Sequence, residues 1–153
     1  MCLGVFSRLG FVLAALLITS ATGCSTSEQS KAPAPPAAPV TLKFDDKNVA
    51  LGDPVKCLGT GGSLLVYAPI ANTKGDIVAD IGIADLTAHS IAVSGVDGDN
   101  KYFWETTSTM GEAMPVTKAD NTFTVRGKIH QTKDAHIKKN IEITAANCPG
   151  TSG

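Results

Sequence analysis

The residues best suited to covalent chemistry are the cysteines, which are Cys2, Cys24, Cys57 and Cys148. Cys24 ends the run ATGC at 21–24, in which three small residues lead up to a thiol. That order is typical of a site where a thiol is joined to diacylglycerol and the chain is cut just before it. Ordinary signal cleavage at a small-x-small site is the alternative. The spacing therefore predicts lipidation of Cys24, whose acyl chains attach the protein to a membrane.

Cys57 and Cys148 are the pair that remains if Cys2 leaves with a cleaved leader and Cys24 is acylated. Exported chains meet oxidising conditions, so a disulfide is the expected state of such a pair. A redox site needs C-x-x-C and a structural zinc site needs closely spaced Cys/His pairs, and neither pattern occurs. The sequence therefore predicts a structural disulfide that closes a long loop.

The histidines are the next candidates for chemistry, and they are His89, His130 and His136. A catalytic or metal role needs convergence with carboxylates or thiols, which the spacing of these residues does not indicate. The DGDN run at 97–100 lacks the downstream Glu of a calcium loop and predicts a hairpin turn instead. No G-x-S-x-G nucleophile motif is present. We therefore expect no catalytic residues, no metal site and no cofactor.

Three consecutive aromatic residues, Tyr102, Phe103 and Trp104, form the best candidate for a binding surface. Side chains alternate along a strand, so at least one of the three is expected to face solvent or the mouth of a pocket. The alternative places Tyr102 and Trp104 in the core, with Phe103 covered by a loop.

The elements that would position these residues begin after an export segment. Residues 1–23 carry Arg8 followed by an apolar run of about ten residues, the pattern of a secretory signal peptide. Residues 24–39 form the lipidated cysteine and a Pro/Ala/Ser-rich linker, which at about 3.1 Å per residue spans roughly 45 Å. A β domain is expected over 40–148 and a flexible tail over 149–153.

Period-two alternation within 40–148 predicts about seven short strands separated by Gly, Asp and Asn turns. The fold class is therefore all-β, an antiparallel sandwich or open barrel closed by one disulfide. The segment 76–83 reads equally as a strand or as one short helix. The mature chain has twelve Lys and Arg against fourteen Asp and Glu, without clusters. This pattern gives no indication of a nucleic-acid partner.

Several of these segments together resemble the mycobacterial nineteen-kilodalton lipoprotein antigen family, over roughly residues 21–149. The segments are Gly23-Cys24, the linker, DDKNVALGDPVKC at 45–57, FTVRGKIHQT at 123–132 and IEITAANC at 141–148. The linker departs from the family pattern because it is rich in Pro and Ala rather than in Thr, Ser and Gly. The resemblance implies acylation of Cys24 and pairing of Cys57 with Cys148. It also implies a surface antigen, a ligand of host innate immune receptors, and no known enzymatic activity.

The sequence thus predicts a non-enzymatic lipoprotein, anchored on the outer face of a cell membrane and partly released to the wall or outside. Its β domain is expected to act as a binding surface. A first alternative is a carrier that holds a lipid or a small molecule in an apolar cavity near Trp104. A second is an envelope enzyme, which needs a cleft where a histidine meets a carboxylate or hydroxyl.

Overall fold

The computed structural model describes residues 39–106 and 113–150, which form strands joined by turns and loops. The strands are β1 (Val40–Phe44), β2 (Lys47–Val49), β3 (Lys56–Thr60), β4 (Ser63–Pro69), β5 (Asp76–Gly82), β6 (Ala88–Ser94), β7 (Lys101–Glu105), β8 (Val116–Ala119), β9 (Thr122–Gln131) and β10 (Lys138–Ala146). Tight turns form where two successive residues have positive φ, as at Asp45-Asp46 (47° and 63°) and Gly61-Gly62 (57° and 88°). Within these residues no helix occurs.

The strands form one antiparallel sheet in the order β2-β1-β10-β9-β7-β6-β5-β4-β3, with β8 paired to β9 beside this path. β10 and β9 share the longest pairing, from Lys138 opposite His130 to Ala146 opposite Thr122. The opposite edge of β9 is divided between two strands. β7 meets it at His130 and Gln131, and β8 meets it from Thr122 to Val125.

The two ends of the sheet are joined, so the sheet curls into a half-barrel around one core. The Cys57–Cys148 disulfide links β3 to the segment after β10, with the two Cα atoms 5.4 Å apart. The Gly59 amide beside it donates to the Pro149 carbonyl at 2.6 Å. A second closure joins the segment after β2 to the end of β4, where the Ala71 amide donates to the Ala50 carbonyl at 2.9 Å.

The core lies inside the half-barrel because alternate side chains of every long strand point inward. Its largest fully buried members are Tyr102, Phe123, Leu42, Leu64, Ile77, Ile81, Ile91, Met114, Ile129 and Ile143. Phe44 meets the Tyr102 ring edge to face, with ring centroids 5.1 Å apart.

The structure confirms the prediction of an all-β fold closed by one disulfide and favours the open barrel over the sandwich. The ambiguous segment 76–83 forms a strand, β5, and not a helix. Asp45 and Asp46 form one of the predicted Asp turns, and Lys47 and Asn48 directly after them begin β2. The predicted leader 1–23 and all but the last residue of the linker 24–39 lie outside the described residues.

Candidate functional site

The predicted disulfide is present. It lies where the predicted linker of residues 24–39, which we call the tether, joins the domain. The Pro39 carbonyl, the last linker position, accepts a hydrogen bond from the Ala146 amide at 2.7 Å. Cys148 follows two residues later and is bonded to Cys57. One corner of the half-barrel thus holds the start of the domain, its disulfide and the end of the last strand. The predicted lipidation site, Cys24, lies outside the described residues.

The predicted aromatic binding surface is largely internal. Tyr102 and Trp104 are buried in the core, and Phe103 alone of the three faces outward and is half-buried. Alternation along β7 is the physical reason, since positions 102 and 104 share the inner face. The three side chains therefore do not form one surface, and the alternative placement of Tyr102 and Trp104 in the core is the one observed. Only Phe103 remains available.

Phe103 lies at one end of an apolar stripe on the outer face of the sheet. Strand register places Tyr67 opposite Val78, Val78 opposite Ala92 and Ala92 opposite Phe103. Leu58 and Leu65 form a second pair beside Tyr67. We call this set the outer stripe, and it consists of Leu58, Leu65, Tyr67, Val78, Ala92 and Phe103.

The outer stripe is exposed to a degree unusual for large apolar side chains. Leu58 is 53% exposed, Leu65 and Val78 are each 46% exposed, and Tyr67 is 37% exposed. Contiguous exposed apolar patches on soluble proteins often mark interaction sites. The signal in the sequence was the run Leu64-Leu65-Val66-Tyr67. A strand that is apolar at every position presents apolar side chains on both of its faces. A core on one side of the sheet buries only one of those faces, so the other stays exposed.

The rim of the stripe carries charges of both signs. Lys56 lies opposite Tyr67 at the β3 end, and Glu105 lies beside Phe103 at the β7 end. Asp80 and Ser90 are the neighbours of Leu65 in its row across β5 and β6. The stripe is therefore an uncharged band with a mixed polar border, which is the usual composition of an interaction surface.

The mouth of the half-barrel holds a charged cluster around the hydroxyl of Tyr102. This hydroxyl donates to Asp97 Oδ2 at 2.6 Å, and Lys139 Nζ lies 2.6 Å from Asp45 Oδ2. Burial, followed by the Asp97 carboxylate, raises the pKa of Tyr102 to about 12. The hydrogen bond from Lys139 lowers the pKa of Asp45. Asp45 and Lys139 form an ion pair and Tyr102 donates to Asp97, so the cluster brings side chains of β7 and β10 and of the turn after β1 together at this end.

A second polar cluster surrounds His89, and sequence reasoning missed it. His89 Nε2 lies 3.0 Å from Asp85 Oδ2, while Nδ1 lies 3.4 Å from Ser63 Oγ and 3.5 Å from Asp80 Oδ1. The residues come from β4, β5, the following loop and β6, so only the folded register brings them together. Gly82 makes room for them, since a Cβ there would meet His89 Nε2 at 2.7 Å.

The His89 cluster has the residue types of a hydrolytic triad but the electrostatics of an ion pair. The hydrogen bond to Asp85, with the charges of Asp80 and Asp85, raises the pKa of His89. The same hydrogen bond with His89 lowers the pKa of Asp85 to about 2. A general base must be neutral to take a proton from a serine hydroxyl, and a raised pKa shifts the histidine toward its protonated form. These side-chain contacts link β4, β5 and β6 at this edge of the sheet.

Two large surface grooves are present, and neither is lined by Trp104 or by the His89 cluster. The first, about 790 Å³, is lined by Lys43, Arg126, Lys128, Lys138, Glu142 and neighbouring residues. Glu142 bridges two cations there, with Arg126 Nε at 2.6 Å and Lys43 Nζ at 3.0 Å, and these bonds lower its pKa. The second, about 450 Å³, opens at the Asp45–Lys139 mouth. The apolar cavity near Trp104 that a lipid carrier needs corresponds to neither groove.

The described residues hold no group of three His, Cys, Asp or Glu side chains arranged to bind a metal ion. His130 is buried, with Nδ1 2.9 Å from the Ala135 carbonyl oxygen, and His136 is exposed. Over 39–106 and 113–150 there is also no helix long and apolar enough to cross a membrane.

Comparison with known proteins agrees with the order of segments in the chain. The family model described as Mycobacterium 19 kDa lipoprotein antigen matches residues 33–148, which cover all ten strands and both paired cysteines. No curated protein matches the chain significantly. Because the family model spans most of the sequence, the chain belongs to the Mycobacterium 19 kDa lipoprotein antigen family.

Proposed function

We propose that this protein is an envelope lipoprotein that displays its β domain as an interaction surface and has no catalytic chemistry of its own. The outer stripe is the observation that carries the proposal, because it presents large apolar side chains to solvent. Membership of a lipoprotein antigen family supports the anchored setting.

The anchor in this proposal is Cys24, through thioether-linked diacylglycerol and further acyl chains such as palmitate. Two or more chains give stable attachment, whereas one gives only marginal binding. The domain then lies on the outer face of the cell membrane, with a fraction released toward the wall. The acylated N-terminus is the part that host innate immune receptors would recognise, as the family resemblance implies.

Replacing Cys24 by Ala tests the anchor, with Cys2→Ala as the matched control within the leader. We expect the wild type and the Cys2→Ala variant to partition into detergent and to carry an acylated Cys24 at the N-terminus by mass spectrometry. The Cys24→Ala variant should lack this modification and leave the detergent phase. An unmodified, internal Cys24 in the wild-type protein, or a Cys24→Ala variant that still sediments with membranes, would contradict the proposal.

A further inference from the structure

The outer stripe begins beside the point where the tether enters the domain. Leu58, its first residue, follows Cys57, which is bonded to Cys148 with a Cα separation of 5.4 Å. Cys148 in turn lies two residues from Ala146, which is hydrogen-bonded to Pro39. With 3.8 Å between successive Cα atoms, the path from Pro39 to Leu58 adds up to roughly 20 Å.

The tether is long enough to let this face reach the membrane that holds it. Residues 25–38 separate Cys24 from Pro39, and a fully extended chain of that length spans roughly 50 Å. That reach exceeds the roughly 20 Å between Pro39 and the start of the stripe. A surface tethered this closely meets the bilayer at a high effective concentration, so even a weak contact is populated.

We propose that the outer stripe is a lipid-contacting face, on which the domain lies against the bilayer that anchors Cys24. This inference rests on the proposed lipid anchor. Leu, Val, Tyr and Phe side chains that stand free on one face are the residue types that enter the boundary between headgroups and acyl chains. Contact with a bilayer needs no defined pocket, and the outer stripe is a band of side chains across the sheet rather than a pocket.

A second copy of the chain fits this face less well than a bilayer does. The core fills the inside of the half-barrel, so the outer stripe is convex and two such faces touch only along their central strands. A stable protein interface buries about 800 Å² on each partner. A bilayer surface instead accommodates a convex face, since apolar groups enter it to a depth of about 5–10 Å.

The border of the stripe also predicts which lipids matter. At the outward positions of β3 to β7, the two lysines Lys56 and Lys101 are outnumbered by Asp76, Asp80 and Glu105. A face with this balance gains nothing from an anionic surface. The contact is therefore expected to be apolar in origin and equally strong on a neutral bilayer.

The test uses the full acylated protein in phosphatidylcholine vesicles that contain a small fraction of a photoactivatable diazirine lipid. After illumination, mass spectrometry maps the labelled peptides. We expect label on the N-terminal peptide and on peptides that carry Leu65, Tyr67 and Val78. Peptides from β9 and β10 should carry about tenfold less, because their outward side chains bury little apolar area. Adding anionic lipid should not increase the stripe label.

Two double variants make the comparison specific. Leu65→Ser with Val78→Ser removes apolar area from the stripe, whereas Leu86→Ser with Ile137→Ser removes similarly exposed apolar side chains elsewhere, at 39% and 41%. The first should lose the stripe label by about tenfold, and the second should keep it. All four residues are exposed, so both variants are expected to fold.

The outcomes separate this inference from the anchor. If the N-terminal peptide is labelled and the stripe is not, the stripe does not contact lipid and the inference is wrong while the anchor stands. Copy-to-copy cross-links at the stripe in place of lipid label would also overturn it, in favour of self-association. If the protein fails to bind vesicles at all, the proposed anchor fails and this inference fails with it.

Discussion

At the scale of single residues, the His89 cluster shows that residue types alone do not identify a catalytic site, because neighbouring charges set the pKa of the histidine. Serine, histidine and aspartate converge at hydrogen-bonding distances, as in a hydrolase. The charge of the second carboxylate, Asp80, further raises the pKa of the imidazole.

This cluster makes the stability of the fold depend on pH. The Asp85 hydrogen bond raises the pKa of His89 in the folded state above its unfolded value of 6.5. Its contribution is therefore fully present below pH 6.5 and is lost as the pH rises through the raised pKa. Asp85, with a pKa of about 2, contributes above its unfolded value of 3.8 and loses that contribution as the pH falls through about 2.

We therefore expect the free energy of unfolding to decrease as the pH rises above 6.5, measured by urea denaturation at several pH values. The His89→Gln variant should lose this step. His136→Gln is the matched control, since His136 is exposed and its side chain contacts neither carboxylate of the cluster. An unchanged slope in His89→Gln would show that the pairing does not stabilise the folded state.

Gly127 is a position where the packing, and not a turn, requires glycine. An added Cβ would collide with Cγ of Met114 and come within 2.7 Å of its Sδ. Met114 is fully buried beneath β9 and its carbonyl accepts from the Ala88 amide at 2.9 Å. Its side chain therefore fills the core beside the point along β9 where the neighbouring strand changes from β7 to β8.

The Gly127→Ala variant is expected to lose about 1–3 kcal/mol of stability through overpacking. Combining it with Met114→Ala should cost less than the two single changes added together, because the smaller side chain leaves room for the methyl group. Denaturation of the four proteins measures this coupling. Strict additivity would mean that the two residues do not compete for the same space.

At the scale of elements, the disulfide supplies the closure that the strand pairings leave incomplete. β3 forms the last strand of the sheet and pairs only with β4 within the described residues. Its other edge meets the segment 148–150 through the bond to Cys148 and the Gly59–Pro149 hydrogen bond. The edge is thereby covered by its own chain, which protects it from pairing with other molecules.

Replacing both Cys57 and Cys148 by Ser is expected to cost up to about 4–5 kcal/mol, the chain-entropy value for a loop this long. Amide exchange should rise most in β3 and least in the β9–β10 pairing, which does not depend on the closure. Reduction of the wild type is the parallel measurement. Equal acceleration in all strands would show that closure and sheet unfold as one unit.

The sequence predicts the strands whose side chains alternate strictly. It does not predict the features that depend on tertiary contacts. The pattern of Thr122 to His130 sufficed for β9, whereas β8 was missed because a four-residue strand with one buried side chain has almost no period of its own. The alignment of Leu65 and Val78 with the rest of the outer stripe depends on register across the five strands β3 to β7. The same register assembles the His89 cluster, so neither feature could be read from spacing along the chain.

At the scale of the whole molecule, the distribution of apolar side chains bears on whether the domain displays a surface or carries a ligand inside. The interior of the half-barrel is filled by large side chains such as Phe123, Ile143 and Leu42, each at most 2% exposed. Leu58, Leu65, Tyr67 and Val78 stand on the outer face, and Leu86 and Ile137 are exposed elsewhere. A carrier needs the reverse arrangement, with an apolar cavity of about 300–1,000 Å³ inside.

Organic extraction of the folded protein tests this distinction. We expect extracts made without hydrolysis to contain no lipid in a one-to-one ratio with the chain, because interior side chains occupy the space that an acyl chain needs. The Phe123→Ala variant should lose about 3–5 kcal/mol and open a void in which a small apolar probe can bind, since core voids of this kind stay dry. A stoichiometric lipid in wild-type extracts would show that the interior opens, and the carrier would then replace the interaction surface as the better account of this domain.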